Sequence, residues 1–147
     1  MLISPTALEH LTRAEIPDNR ETGGILGSYD NTGVVTHIAL DYDDYSLYPC
    51  EYRPHINYLN LCIEQWLKHK IQFIGFFHTH LHDVDSLSQG DILYINAIMN
   101  SMPQEIDSLY FPLYILPSRK LKGYKATRQN GAVEIVKDDV YIAPSYY

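Results

Sequence analysis

A run of apolar residues near the middle of the chain constrains the fold more than any other feature. Ile71 to Phe77 contains three phenylalanines and two isoleucines, and a histidine-bearing polar segment follows it directly. The run is far shorter than the roughly 20 apolar residues that a membrane-spanning helix needs. Its length and aromatic content are typical of a strand buried on both faces. The run therefore predicts the central strand of a sheet that is covered on both sides.

The patterns on either side of this run alternate between helix and strand periods in a mixed order. The expected elements, in chain order, are a helix starting at Ser4-Pro5 and reaching Pro17, a hairpin of Glu21 to Ser28 and Val34 to Leu40, a loop over Asp41 to Arg53, a helix over Ile56 to Lys70, the buried strand, a loop over Leu81 to Leu87, a helix starting at Ser88, and strands over Leu109 to Leu116, Leu121 to Thr127 and Ala132 to Val136. This order predicts an α+β fold with α/β/α layers, in which helices flank a mixed, mainly antiparallel sheet.

Length and composition bound the classes of protein to which the chain can belong. Its 147 residues, 46% hydrophobic and 20% charged, fit one globular domain over residues 1–147. They are too few for a (β/α)₈ barrel, which takes about 250 residues. The net charge of −7 argues against binding to nucleic-acid phosphates. An acidic surface of this kind suits a basic or neutral protein partner.

The cysteines and the N-terminal segment point to a cytoplasmic protein. Cys50 and Cys62 are not spaced as a C-x-x-C pair, and we expect both to be small core residues rather than a disulfide. The first residues, Met1 to Pro5, do not have the basic and apolar regions of a signal peptide. We therefore expect a cytoplasmic protein with no membrane partner and no nucleic-acid partner.

Two histidines directly after the buried strand suggest a metal site. Residues two apart on a strand point to the same side, so His78 and His80 can direct both imidazoles at one ion. A catalytic zinc takes three protein ligands and keeps one position open for water. Asp91, in the first turn of the next helix, is the preferred third ligand. The residues alone leave that ligand open, because other candidates by residue type follow in the loop: His82, Asp83 and Asp85.

The same segment also has an interpretation that involves no metal. The order Ser88-Gln89-Gly90-Asp91 fits a helix capping box, with aspartate in the place of the more common glutamate. Other enzymes with an H-x-H pair fit poorly. The chain is too short for an amidohydrolase barrel, the order His82-Asp83 is the reverse of the metallo-β-lactamase pattern, and the C-x-x-C of zinc deaminases is missing from the sequence.

The full spacing matches one further pattern. His78-Thr79-His80, seven residues, Ser88, two residues and Asp91 give H-[ST]-H-x₇-S-x-x-D. This resembles the motif of the JAMM (MPN+ or JAB) zinc metalloproteases, and the size is that of a small, prokaryotic-type, single-domain member.

An upstream segment strengthens the resemblance. The family carries a glutamate at the start of a glycine-rich strand, and Glu21 to Gly27 (E-T-G-G-I-L-G) stands in that place. The sequence departs from the family at Leu81 and Leu87, where members often have proline. Neither position takes part in the chemistry, so we expect a different loop shape and retained activity.

The resemblance implies a JAB/MPN-like fold, of cytidine-deaminase-like architecture, and a ligand set. One Zn²⁺ per chain would be held by His78, His80 and Asp91, with water as the fourth ligand. Glu21 would act as general base and then deliver the proton to the leaving amine. Ser88 would donate a hydrogen bond to the oxyanion.

The resemblance also implies a function. The expected activity is hydrolysis of the amide bond at the C-terminal tail of a ubiquitin-like or sulfur-carrier protein that ends in Gly-Gly. Two alternatives remain open, namely a non-catalytic scaffold that binds partner proteins and an enzyme that cleaves a small amide adduct. A tyrosine-rich stretch over residues 42–58 is the expected partner contact, and its members are Tyr42, Tyr45, Tyr48, Tyr52 and Tyr58. The residues from Ser101 to Ser108 would provide a second, weaker contact.

Overall fold

The computed structural model describes residues 1–41 and 52–145. Within them, fourteen elements follow one another. They are β1 (Leu2–Ile3), α1 (Pro5–Arg13), β2 (Gly23–Tyr29), β3 (Val34–Val35), β4 (His37–Leu40), α2 (Ile56–Lys68), β5 (Ile71–His80), α3 (Gln89–Ser101), β6 (Ser108–Tyr110), β7 (Leu113–Ile115), β8 (Lys120–Lys122), β9 (Tyr124–Gln129), β10 (Ala132–Lys137) and β11 (Tyr141–Ile142). None of the described helices is long and apolar enough to cross a membrane.

The strand β5 lies at the centre of the main sheet, as its apolar sequence predicts. The strand order is β10-β9-β6-β5-β2-β4. The remaining two strands lie beside this path, where β7 pairs with β5 and β8 pairs with β7. Pairs β2 with β4, β2 with β5, β6 with β9 and β9 with β10 are antiparallel, whereas β5 runs parallel to β6 and β7. The predicted α+β fold with a mixed, mainly antiparallel sheet is confirmed.

Helices cover both faces of this sheet. Successive side chains of β5 point to opposite faces, so neighbouring residues of β5 pack against different helices. Phe76 packs in a core cluster with Leu59 of α2 and Ile95 of α3. The next residue, Phe77, packs in a second cluster with Leu11 of α1. The predicted α/β/α layering follows from this alternation.

Several predicted element bounds differ from the structure for identifiable reasons. The expected strand Leu109 to Leu116 is interrupted at Phe111-Pro112, since proline has no N–H for the ladder. The expected strand Leu121 to Thr127 is interrupted at Gly123, where a Cβ would lie 1.8 Å from the Asp138 carbonyl oxygen. The return strand Val34 to Leu40 divides between two sheets.

The other differences lie at the ends of elements. The first helix ends at Arg13, before Pro17, and β5 extends through His80. A small parallel sheet of β11, β1 and β3 has no counterpart in the sequence prediction. Two-residue strands of this kind are too short to show a periodic pattern.

The glycines in the first strand of the predicted hairpin have a packing reason. Strand β2 lies between β4 and β5 with very little room. A Cβ on Gly24 would lie 2.1 Å from the carbonyl oxygen of Ala39 on the neighbouring strand. A backbone atom cannot move aside as the tip of a flexible side chain can, so this position requires glycine.

Replacing Gly24 with alanine should therefore destabilise the protein by at least about 2 kcal/mol, because β2 and β4 must separate. Gly90→Ala is the control, since its Cβ would meet nothing closer than Ser88 Oγ at 3.6 Å in a helix. Urea unfolding should show the control within about 1 kcal/mol of wild type. Equal stability of Gly24→Ala and wild type would show that this contact does not constrain the strands.

Candidate metal centre

The two histidines of the predicted site end the central strand and share one face of it. His78 and His80 lie on β5, and their ring centroids are 5.1 Å apart. Both are buried, with 3% and 7% of their surface exposed. A buried polar side chain needs a partner to offset its loss of water. The pair therefore forms a concentrated polar group at the edge of the core.

Asp91 completes a three-residue cluster. His78 Nε2 lies 3.0 Å from Asp91 Oδ1, and His80 Nε2 lies 3.3 Å from Asp91 Oδ2. One ligand atom from each of the three residues lies within 4.8 Å of the others. Across residues 1–41 and 52–145, this is the one such group of metal-ligating side chains. The alternatives that the sequence left open do not join it: His82, Asp83 and Asp85 are exposed.

The first turn of α3 fixes the orientation of the Asp91 carboxylate. The backbone N–H of Ser88 donates to Asp91 Oδ2 at 2.7 Å, and the N–H of Asp91 donates to Ser88 Oγ at 3.1 Å. This is the capping box that the sequence suggested. The structural and metal-binding interpretations of Asp91 are therefore compatible. The capping bond occupies one lone pair of Oδ2, and Oδ1 has no such bond.

Two observations show that these residues fit a divalent metal ion. The Nδ1–H of His80 donates to the Val84 carbonyl at 2.9 Å, which leaves the Nε2 lone pair directed at the cluster. His78 Nε2 is out of contact with solvent and has no partner in hydrogen-bond geometry among the described residues. Asp91 Oδ1 is close enough, but it lies off the direction that such a bond requires. Two imidazole nitrogens and a carboxylate are a common donor set for zinc.

The charges in the cluster support one another. Burial by itself would raise the pKa of Asp91, but His78 and His80 outweigh it and hold that pKa far below its usual value. The Asp91 carboxylate in turn raises the pKa of His80. Burial raises the pKa of Glu21 and outweighs the attraction of the two histidines. The carboxyl group of Glu21 therefore holds its proton at a higher pH than an exposed glutamate does.

Glu21 lies beside the cluster and is separate from it. It lines a cleft of about 620 Å³ together with His78, Ser88 and Asp91. It is half-buried, and the backbone N–H of Tyr52 donates to its carboxylate. The structure thus brings together all five residues that the sequence singled out. Their roles remain predictions.

Thr79, which the sequence analysis did not single out, attaches the Glu21 segment to β5. Its backbone N–H donates to the Thr22 carbonyl at 2.8 Å, and its Oγ1 accepts from the Thr22 N–H at 2.9 Å. Thr79 is fully buried. The H-[ST]-H pattern allows only serine or threonine between the histidines, and this hydroxyl contact gives a physical reason for that choice.

Two tyrosines beside His78 also escaped the sequence analysis as site residues. The Tyr52 ring lies parallel to the His78 ring, with centroids 6.4 Å apart and planes at 10°. Tyr94 meets His78 edge-on at 6.3 Å, and burial raises the pKa of its hydroxyl. Tyr94 lies three residues after Asp91, so helical spacing could have placed it on the same face.

The remaining predictions about single residues concern the tyrosines and the cysteines. Tyr58 stacks on His55, and Cys62 is partly buried against the core cluster. Three of the predicted partner-contact tyrosines and one cysteine lie outside the described residues, namely Tyr42, Tyr45, Tyr48 and Cys50.

Comparisons with known proteins support the fold. No protein-family model matches the sequence, and no curated protein matches it either. The structure is similar to that of protein DSY2949 from Desulfitobacterium hafniense, with a TM-score of 0.69 and 14% identity, covering 97% of this chain and 92% of that one. It is also similar to AF2198, a JAB1/MPN domain protein from Archaeoglobus fulgidus, with a TM-score of 0.53 and 14% identity, covering 98% of this chain and 100% of that one.

The similarity to AF2198 shows an MPN-like fold. At 14% identity both similarities extend to the fold alone. The JAB/MPN-like architecture expected from the sequence is confirmed.

Removal of the Ser88 hydroxyl tests the link between capping and the cluster. Ser88→Ala should destabilise the protein by about 1 kcal/mol, because the N-cap of α3 is lost. It should also weaken Zn²⁺ binding, because loss of the bond from the Asp91 N–H to Ser88 Oγ loosens the first turn that carries Asp91, even though the Ser88 backbone N–H still donates to the carboxylate. Ser101→Ala is the control, because that hydroxyl donates to the Ala97 carbonyl at the opposite end of the same helix. Urea unfolding and isothermal titration with Zn²⁺ measure the two effects. Unchanged Zn²⁺ affinity in Ser88→Ala would separate capping from metal binding.

Proposed function

We propose that the chain is a JAMM-type zinc metalloprotease that hydrolyses the amide bond at the C-terminal tail of a ubiquitin-like or sulfur-carrier protein. The observation that carries the proposal is the convergence of His78, His80 and Asp91 on one point, with the carboxylate of Glu21 beside them in an open cleft. The MPN-like fold supports it.

The three clustered residues would hold one Zn²⁺ per chain. When bound, zinc supplies a Lewis acid and lowers the pKa of a coordinated water to about 7. The buried His78 Nε2, which has no partner in hydrogen-bond geometry among the described residues, would gain one as a ligand. The His80 tautomer is already set by the Val84 carbonyl.

Glu21 suits the role of general base. Its carboxylate is near the cluster but is not a member of it, so it can accept a proton from water and pass it to the leaving amine. A pKa raised by burial brings its proton affinity closer to that of the groups with which it exchanges protons. The hydrogen bond from Tyr52 N–H keeps one carboxylate oxygen in place.

Ser88 suits the role of oxyanion donor. Its oxygen accepts the Asp91 N–H as part of the helix cap, which leaves its own O–H hydrogen free to donate into the cleft. A donor of this kind contributes on the order of 3 kcal/mol to transition-state stabilisation in comparable sites.

The resemblance of the motif suggests the substrate, a protein tail ending in Gly-Gly. The cleft is consistent with a thin extended peptide, because aromatic and aliphatic side chains line it beyond the cluster: Tyr52, Pro54, Leu93, Tyr94 and Ala97. The acidic chain suits a basic or neutral partner rather than nucleic acid. We place the activity in the cytoplasm.

A non-catalytic MPN-type scaffold is the alternative. It is favoured by exposed apolar side chains along α2, a helix outside the cleft: Ile56, Leu61 and Leu67. Such side chains suit contacts with a partner protein.

Three substitutions separate the two functions. His80→Ala should lose zinc and hydrolysis of a Gly-Gly-ended fusion protein together. Glu21→Gln should keep one zinc per chain and lose about 10²- to 10⁴-fold in turnover, because it keeps shape but cannot accept a proton. His82→Ala is the control, since His82 is exposed and close in sequence. Metal analysis and a cleavage assay on a gel measure both effects.

The opposite results would favour the scaffold. Stoichiometric zinc in wild type without cleavage of any Gly-Gly-ended fusion would contradict the proposed activity. Equal zinc loss in His80→Ala and Glu21→Gln would make Glu21 a ligand and remove its role as base.

A further inference from the structure

Tyr52 makes three contacts with the candidate site at once. Its backbone N–H donates to the Glu21 carboxylate, and its ring lies parallel to that of His78. The ring also occupies the space above Gly23, where a Cβ would lie 2.5 Å from Tyr52 Cε1. Gly23 is paired with His78 across β2 and β5, so the absence of a side chain there lets the ring reach the histidine.

A buried carboxylate holds Tyr52 in this position. The Tyr52 hydroxyl donates to Asp41 Oδ2 at 2.9 Å, and the backbone N–H of His55 donates to the same oxygen at 2.7 Å. Asp41 is 7% exposed, so these bonds are made largely away from water. Its own N–H donates to the Gly23 carbonyl at 2.8 Å, which anchors it to the edge of β2.

These contacts form one connected path from Asp41 through Tyr52 to Glu21 and His78. We propose that Tyr52 is a positioning residue of the hydrolytic site and that Asp41 acts through it. Tyr52 holds the Glu21 carboxylate beside the clustered ligands and fixes the plane of the His78 imidazole. Neither residue exchanges a proton or electrons with the substrate. The inference rests on the proposed hydrolysis.

Tyr52→Phe is the first test, because it removes one oxygen and keeps the ring. Turnover of the Gly-Gly-ended fusion should fall between about 10- and 100-fold, since small misplacements of catalytic groups have effects of this size. KM should change less than about threefold and zinc should stay at one per chain, because the substrate contacts and all three ligands remain. Tyr29→Phe, at an exposed tyrosine at the far end of β2, should match wild type.

The double variant tests whether Asp41 acts through Tyr52. Asp41→Ala, which removes the oxygen that accepts the Tyr52 hydroxyl, should lose turnover to a similar extent as Tyr52→Phe. The combined variant should then fall no further than the worse single variant, because both remove the same link. Losses that multiply would show two independent effects and overturn the path.

A measurement without turnover tests the contact itself. In the zinc-free protein, the Tyr52 amide should exchange slowly with solvent, and Glu21→Ala should raise its exchange rate at least about tenfold. Fast exchange in wild type would overturn the inference. Wild-type hydrolysis with unchanged turnover in Tyr52→Phe would overturn the inference alone, whereas a wild type with zinc but no hydrolysis would overturn it together with the proposed function.

Discussion

The antiparallel pairing of β2 with β5 is the constraint on which the candidate site depends. It sets Gly23 opposite His78, and the Thr22–Thr79 bonds extend the pairing by one residue. Glu21 is therefore held at a fixed position in space relative to both histidines. A slip of one residue would turn both imidazoles to the opposite face of the sheet, towards α1. The positions of Glu21, of the two histidines and of the cleft therefore all depend on the register of β2 against β5.

The helix α3 contributes the third ligand through a different kind of interaction. Its capping box satisfies the N–H groups of Ser88 and Asp91 at the start of the helix and at the same time orients the Asp91 carboxylate towards the strand. One structural device thus gives both the helix start and the carboxylate position. This explains how a residue type that commonly caps helices can also fit a ligand set without a conflict between the two roles.

Much of the fold follows from local pattern. The run Ile71 to Phe77 specified the central strand, and the period of three to four residues specified α2 and α3. The errors lie where a single residue interrupts a pattern, at Pro112 and Gly123, and where strands are only two residues long. Pairing partners in such short strands are set by distant parts of the chain, as in β1 with β3 and β11, and local sequence contains little information about them.

The candidate site was predictable in its members because their spacing is fixed along the chain, with all five residues in two short segments. The supporting contacts were not. Tyr52 was expected at a partner surface on the basis of composition, yet it packs on His78, and Asp41 was expected in a loop, yet it is buried. Both positions depend on which atoms come close in three dimensions, and that of Tyr52 depends above all on the space that the missing side chain of Gly23 leaves for its ring. No spacing rule in one sequence gives that information.

The cluster of His78, His80 and Asp91 has a cost in stability that a role in binding would explain. Two imidazoles and a carboxylate lie mostly away from water, and one imidazole nitrogen has no partner in hydrogen-bond geometry among the described residues. An unsatisfied buried group of this kind costs about 1–3 kcal/mol, so the unpaired nitrogen detracts from the stability of the fold. The chain nevertheless devotes the end of its central strand and the start of a helix to holding these groups together. A ligand that binds only the folded state would return the lost stability in proportion to its occupancy. The arrangement is therefore understandable as a preformed binding site, and it has no evident advantage as core packing.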